Sequence, residues 1–139
     1  MTALYLLLRE FDPAKPAAQS YAKSPLDEGI RRRIRRKLEL ALTEQGVYKR
    51  SDLSLRTLAE LLHERPHYVS QIISQEFSSS FYDLVNRHRI EHAKRLLRES
   101  PDCNVLTIAL DSGFNSKSAF HIAFRRSTGT TPSNFRQIN

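Results

Sequence analysis

Two groups of side chains recur at helical spacing in this sequence: His67, Ser70, Gln71 and Ser74 in one stretch, and Lys117, Ser118, His121, Ile122 and Arg125 in the other. Each shares its stretch with an inward set, Val69, Ile72 and Ile73 in the first and Phe120, Ala123, Phe124 and Ser127 in the second, on one side of a helix. The first-named groups are therefore expected to face outward. Their chemistry suits the edges of bases and phosphate oxygens. Gln pairs bidentately with adenine, His and Ser donate or accept, Arg reaches guanine or phosphate, and an apolar Ile can touch a thymine methyl. Neither His67–Gln75 nor Lys117–Arg126 contains Asp or Glu. Base contact is expected of His67, Ser70, Gln71, Lys117, His121 and Ile122, and phosphate or mixed contact of Ser74, Ser118, Arg125 and Arg126. On an ordinary helix all of these would simply be solvated, so their meaning depends on what positions them.

The elements that position them are repeated. Thr57-Leu58-Ala59 precedes Thr107-Ile108-Ala109 by 50 residues, and Val69, Ile72 and Ile73 precede Phe120, Ala123 and Phe124 by 51. In the second copy Gly113 can turn the chain in the left-handed conformation, and Phe114 can pack back across the corner. Ser116 can cap the helix that follows. In the first copy Ser54 is a cap, His63-Glu64-Arg65-Pro66 makes the turn, and Pro66 can start a helix without losing a hydrogen bond. Helix, turn and second helix with a polar outer face describe a helix-turn-helix, which lays its second helix in a major groove. An internal repeat of this kind decides the architecture.

The remaining segments fit around the two copies. A helix is expected from Pro25, with Leu26, Ile30, Ile34, Leu38, Ala41 and Leu42 as its apolar stripe and Gly46 as its stop. A long helix from Ser80 to about Arg98 carries Phe81, Leu84, Val85, Ile90, Ala93 and Leu97 in two directions, as a rod between two small units would, and Pro101 ends it. Gly129 stops the last reading helix, and Thr131-Pro132 caps and starts another. The expected fold is all-α, with about seven helices: helix-turn-helix units at about 53–77 and 104–127, joined by a linker helix at about 80–98, within a domain at 25–139. Residues 1–24 form an N-terminal tail or linker remnant, apolar at Ala3 to Leu8 and Pro/Ala-rich after Asp12.

Composition sets the outer bounds. A chain of 139 residues is one domain's length. Cys103 is alone, so there is no disulfide framework, which suits the cytoplasm. The longest apolar run is far shorter than the ~20 residues of a membrane span. The net charge of +7 is unevenly placed: residues 1–37 hold nine Lys/Arg against four Asp/Glu, largely through the run Arg31 to Lys37. That run suits either a solvated helix face or a contact with phosphate or an acidic partner. His88 and His92 lie four apart on the long helix but lack the further ligands of a zinc site, so neither metal nor cofactor is expected. No phosphate-binding glycine loop or nucleophile motif is present, so no catalytic residue is assigned.

Leu58-Ala59, Val69-Ser70-Gln71, Phe81, Asn86, Arg89-Ile90, Ala93, Leu96-Leu97, Ile108-Ala109, Gly113-Phe114, Ser118, Phe120, Phe124, Gly129, Thr131-Pro132 and Phe135-Arg136 together resemble the DNA-binding domain of the AraC/XylS family of bacterial transcription regulators. The resemblance covers roughly residues 38–139 and departs from the pattern at two places. His63 stands where the first turn often has Gly, and Ile122 where many members carry a polar or basic reader. It implies sequence-specific binding of double-stranded DNA by two recognition helices in successive major-groove segments, with RNA polymerase as a further partner. It also implies an upstream sensor or dimerisation domain, for which 24 residues leave no room. Gly113 to Phe120 looks like members whose sensor spans the membrane, so Ala3 to Leu8 and Arg9 could be the end of a last span tethering the domain. Arg89 matches an arginine typical of the family and is expected to be structural. The competing class is a protein-interaction module that uses the repeat only as scaffold; it would present an apolar patch where a DNA reader is polar.

Overall fold

The computed structural model describes residues 26–139, all α-helical apart from one 3₁₀ turn and loops, with no strand among the described residues. The helices are α1 (Glu28–Thr43), α2 (Leu55–Leu62), α3 (Pro66–Phe77), α4 (Phe81–Glu99), α5 (Val105–Asp111), α6 (Lys117–Thr128) and α7 (Pro132–Ile138), with the 3₁₀ turn at Val47–Lys49. Among the described residues the expected all-α fold with about seven helices is found. The expected tail over residues 1–24 lies outside the described residues, and the helix expected from Pro25 begins at Glu28, with Leu26 and Asp27 before it. No helix among the described residues is long and apolar enough to cross a membrane.

Most helix starts are set by side-chain caps. The Asp27, Ser54, Asn104, Ser116 and Thr131 side chains accept from the amides of Ile30, Thr57, Thr107, Ala119 and Asn134, at 2.7 to 3.1 Å. Each satisfies an amide that the helix itself leaves without a partner. Asp27 therefore starts α1 at Glu28. At its other end α1 stops at Thr43, short of Gly46, because the Glu44 and Gln45 amides both close on the Leu40 carbonyl. Gly46, at φ 61°, instead turns the chain into the 3₁₀ segment.

The chain divides into two compact units, one containing α1, α2 and α3, the other the segment Gly46–Asp52 with α4 to α7. In the first, α1 packs on α2 and α3, and α2 on α3. Ile34, Leu38, Leu55, Leu58, Ile72 and Ile73 are almost wholly buried. In the second, Ile90, Ala93 and Leu97 of α4 join Ile108, Ala109, Phe114, Phe120 and Phe124 in one core. Aromatic rings run through it as a chain, Phe114 to Phe120 at 5.2 Å, Phe120 to Phe124 at 5.5 Å and Phe124 to Phe135 at 5.5 Å between centroids. Truncating any of the buried phenylalanines to Ala would cost about 3–5 kcal/mol.

The basic run of α1 is neither a bare solvated face nor an open cationic patch. Arg33 grips Glu64 with two hydrogen bonds, Nε at 2.7 Å and Nη2 at 3.0 Å. The Lys37 ammonium donates both to Glu64 at 2.8 Å and to the Leu62 carbonyl at 2.8 Å. Arg35 reaches Glu39 and Glu76, each at 3.2 Å, and Arg31 approaches Glu76 at 3.7 Å. With Arg32 on Glu28 at 3.4 Å, five of the run's seven residues are thus tied to carboxylates. The Glu64 side chain is only 5% exposed, so its charge depends on these partners.

The hydrogen bond from Arg33, reinforced by Lys37, holds the Glu64 carboxyl below the usual glutamate range. A carboxyl whose value is lowered by folding stabilises the fold above its unfolded value and loses that contribution as pH falls through the folded one. Glu64→Gln is therefore expected to destabilise the first unit by about 1–2 kcal/mol at pH 7, a range kept low because both partners are partly solvated. The loss should shrink towards zero below pH 4. Urea denaturation of the two proteins at both pH values checks this, and an equal difference at both would remove the charge from the explanation.

Candidate nucleic-acid interface

The two outward helices, α3 and α6, are each held behind a corner of the same construction. In the first corner the His63 amide bonds to the Glu60 carbonyl at 3.1 Å, and the Glu64 amide to the Ala59 carbonyl at 2.9 Å. In the second the Gly113 amide bonds to Leu110 at 3.0 Å, and the Phe114 amide to Ala109 at 3.0 Å. This pair of bonds, one spanning three residues and one spanning five, is the Schellman ending of a helix. It requires a left-handed residue at the turn, and His63 (φ 54°) and Gly113 (φ 102°) supply it. Histidine is among the non-glycine residues that tolerate this region, so the first corner keeps the same geometry without a glycine.

Gly113 could not be exchanged in the same way. A Cβ there would lie 2.3 Å from the Tyr48 carbonyl oxygen and 2.8 Å from the Arg89 side chain. Arg89 explains the crowding: its Nε donates to the Tyr48 carbonyl at 2.7 Å and its Nη2 to the Arg50 carbonyl at 2.9 Å. The guanidinium also lies 5.7 Å over the Phe114 ring. Arg89 thus fastens the Gly46–Asp52 strap and the second corner to α4, the structural role expected of it. Burial lowers its pKa, but two backbone carbonyls as partners keep its charge well placed.

Beside it, Tyr48 stacks on His88 and meets the edge of His92, both at 5.8 Å. Burial holds both imidazoles below the usual histidine range, with Arg87 adding to the effect at His88 and with Lys49 and Arg95 adding to it at His92. The Arg95 Nη2 lies 2.7 Å from His92 Nδ1. These rings are part of the packing around the strap. Among the described residues no group of three or more His, Cys, Asp or Glu is placed to hold a metal ion.

The reading faces agree with the spacing in part. On α6, Lys117, Ser118, Ile122, Arg125 and Arg126 are exposed, and Lys117, Ser118, His121 and Ile122 line one shallow depression. Phe120 and Phe124 are fully buried. Ser127, expected inward, is exposed. His121 is half-buried, and its Nε2 is buried without a hydrogen-bond partner, so only the Nδ1 edge of the ring remains for an outside contact.

On α3, His67 and Ser74 are exposed and Ser70 is half-buried. Gln71 overturns its expected outward placement: it is fully buried. Helical spacing fixes the direction in which a side chain leaves its helix, but not what else of the chain lies in that direction. Two residues next to the candidate interface were not singled out by the sequence analysis. Glu64 holds the first corner, and the i, i+4 spacing of Arg33 and Lys37 could have indicated a shared acidic partner. Ala119 is exposed beside Ile122 on α6.

Residues 50–138 match the family model of a helix-turn-helix domain of the AraC type. The transcriptional regulatory protein YesN of Bacillus subtilis is 35% identical over 88 residues, which are 62% of this chain and 24% of YesN. Among solved structures, the C-terminal domain of AraT, a response regulator from Geobacillus stearothermophilus, superposes with a TM-score of 0.68 at 29% identity, covering 84% of this chain and 89% of that one. The DNA-binding domain of AdpA, solved with a target DNA, shares the fold with a TM-score of 0.66 at 24% identity, covering 76% of this chain and 90% of that one. The chain spans between 11% and 33% of the lengths of the first three curated relatives it matches.

The two corners should respond oppositely to exchange of their left-handed residue. Gly113→Ala, which meets both an unfavourable φ and a backbone oxygen, should cost more than about 3 kcal/mol. His63→Gly removes a left-handed side chain and should be neutral or stabilising by up to about 1 kcal/mol. Chemical denaturation of both variants measures the contrast, and a comparable loss at His63 would mean that its side chain, not only its left-handed φ, holds the first corner.

Proposed function

Because the chain belongs to the AraC-type helix-turn-helix family, we propose that it is the DNA-binding part of a bacterial transcription regulator and that it reads duplex DNA with α3 and α6. The observation that carries this reading is the repeated unit itself. In both copies the second helix is fixed from behind, by a core and a corner, and is free of acidic residues along the first three turns of its outer side. Such a helix can enter a polyanion's groove without a charge penalty. We assign base contact to His67, Ser70, Lys117, His121 through its Nδ1 edge, and Ile122. Ser74, Ser118, Arg125 and Arg126 are assigned to phosphate or mixed contact. Gln71 is left out of the reading set because it is buried. The two helices would enter successive major-groove segments, about 10 base pairs apart, so a single chain would bind an asymmetric site.

The role is one of binding, exercised where the chromosome is, in the cytoplasm. An upstream sensor or dimerisation domain fits a chain that spans a quarter of YesN. RNA polymerase is the second proposed partner. A protein partner has a candidate face on α5, where Leu106 and Leu110 are 47% and 50% exposed. The equivalent positions of α2 hold the ion pair Arg56–Glu60, 3.4 Å apart. The second copy therefore shows an apolar pair where the first is charged.

Selection of bound duplexes from a random pool, at low and moderate salt, tests the reading directly. A sequence preference that survives the higher salt is expected, because base contacts release fewer counterions than phosphate contacts. Arg125→Gln with Arg126→Gln should flatten the salt dependence of log K by about two units of slope, one per phosphate contact removed. Arg33→Gln with Arg35→Gln should leave the slope nearly unchanged, since those guanidinium groups are occupied by Glu64, Glu39 and Glu76. Equal affinity for selected and random duplexes would sink the proposal.

A further inference from the structure

We infer that α6 recognises the C5-methyl group of a pyrimidine in the major groove, on thymine or 5-methylcytosine, by apolar contact from Ile122 at the outermost point of the helix. This rests on the DNA-binding reading and specifies what one of its two helices reads. The carrying observation is the position of Ile122. It lies two residues from Phe120 and two from Phe124, each roughly 200° away round a helix of 3.6 residues per turn. Both phenylalanines are fully buried, whereas Ile122 is 69% exposed. The most outward point of the helix is therefore a branched aliphatic side chain that nothing in the fold requires there. Exposed helix positions favour Ala, Lys, Glu or Arg over a β-branched residue.

The surroundings of Ile122 extend the apolar character. Ala119, one turn towards the N-terminus, is also exposed. Ser118 offers only a short hydroxyl, and His121 has turned its Nε2 into the protein. No Asn or Gln lies on α6, and its two arginines, Arg125 and Arg126, fall in the last turn. In this docking mode the N-terminal part of the helix reaches bases, and the C-terminal part is better placed for the backbone. Lys117 and the Nδ1 edge of His121 are the hydrogen-bonding groups of this base-facing section, and the outermost point beside them, Ile122, is apolar. What that point can distinguish is a methyl group. Thymine carries one at C5 in the major groove and cytosine does not; methylation of cytosine puts the same group at the same position.

The test uses the full chain and a duplex obtained by selection, with each thymine replaced singly by uracil. Uracil keeps the hydrogen-bonding edge and removes only the methyl. In the half-site read by α6, replacement should weaken binding three- to fivefold per methyl contacted, the factor expected for burying one such group. Replacements in the half-site read by α3 should have no such effect. Ile122→Ala should bind the thymine and uracil duplexes equally, and exposure of the side chain makes the variant a safe one for folding. Comparing cytosine with 5-methylcytosine at the sensitive position separates the two sources: tighter binding of the methylated duplex assigns any C5-methylpyrimidine, and a response to uracil alone assigns thymine. Selective binding that is indifferent to every thymine-to-uracil exchange would overturn the inference and leave the DNA-binding reading standing. So would an Ile122→Ala variant that loses as much affinity on the uracil duplex as on the thymine duplex. Failure to select any duplex would remove both.

Discussion

A helix that must keep one side free for a groove can be held only from its opposite side and from its ends. That constraint shapes both units. The buried apolar positions of α6 are gathered on one narrow stripe, and the rings of Phe120 and Phe124 on it are buried in a core shared with α4, α5 and α7. Its N-terminus is fixed by Ser116, which caps it, and by the corner before it. Nothing that stabilises α6 has to come from its front. The same holds for the corner of α3, which is set by backbone hydrogen bonds and by Glu64, drawn back towards α1. Stability and recognition therefore use different faces of the same short helices, and a change on the front need not disturb the back.

The two corners reach one geometry by different chemistry. The second uses a glycine because the Tyr48 carbonyl and the Arg89 side chain leave no space for a Cβ. The first has room, accepts the modest cost of a left-handed histidine, and is braced by ion pairs from α1. In each case a cation from another helix binds main-chain carbonyls near the corner, Lys37 on Leu62 and Arg89 on Tyr48 and Arg50. Main-chain carbonyls at a turn lack helix partners, and a charged donor satisfies them more strongly than a neutral one. The repeat is thus conserved within the chain at the level of hydrogen-bond pattern, and only loosely at the level of side chains.

Those elements that depend on neighbours in sequence were legible from it. Caps at Ser54, Ser116 and Thr131, the turn at Gly113, the inward set Val69, Ile72 and Ile73 of α3 and the phenylalanines of α6 all follow from spacing and local hydrogen bonding. What could not be read depends on partners far along the chain. The ion pairs of Arg33 and Lys37 join residues 27 to 31 positions apart, so the basic run looked free. The segment Gly46–Asp52 carries no local signal of its own, and its carbonyls are held by Arg89 from 39 to 41 positions away. Gln71 and the Nε2 of His121 are directed by helix geometry one way and buried by context. Periodicity gives a direction, and exposure is a property of the whole fold.

Charge follows the same logic, and it changes what the net value of +7 can mean. A cation contributes to polyanion binding when it can exchange its small counterions for phosphates. Arg33, Arg35 and Lys37 already have carboxylates as counterions, and exchanging them would leave Glu64 nearly buried without a partner. Their charge is therefore committed to the fold. The cations on α6 are differently placed: Lys117, Arg125 and Arg126 are exposed on a stretch with no acid of its own. A few uncommitted cations at the two ends of a helix supply orientation and moderate attraction, but not enough to make binding a matter of charge alone. Discrimination must then come from the side chains between them, and on α6 the most outward of these is an isoleucine.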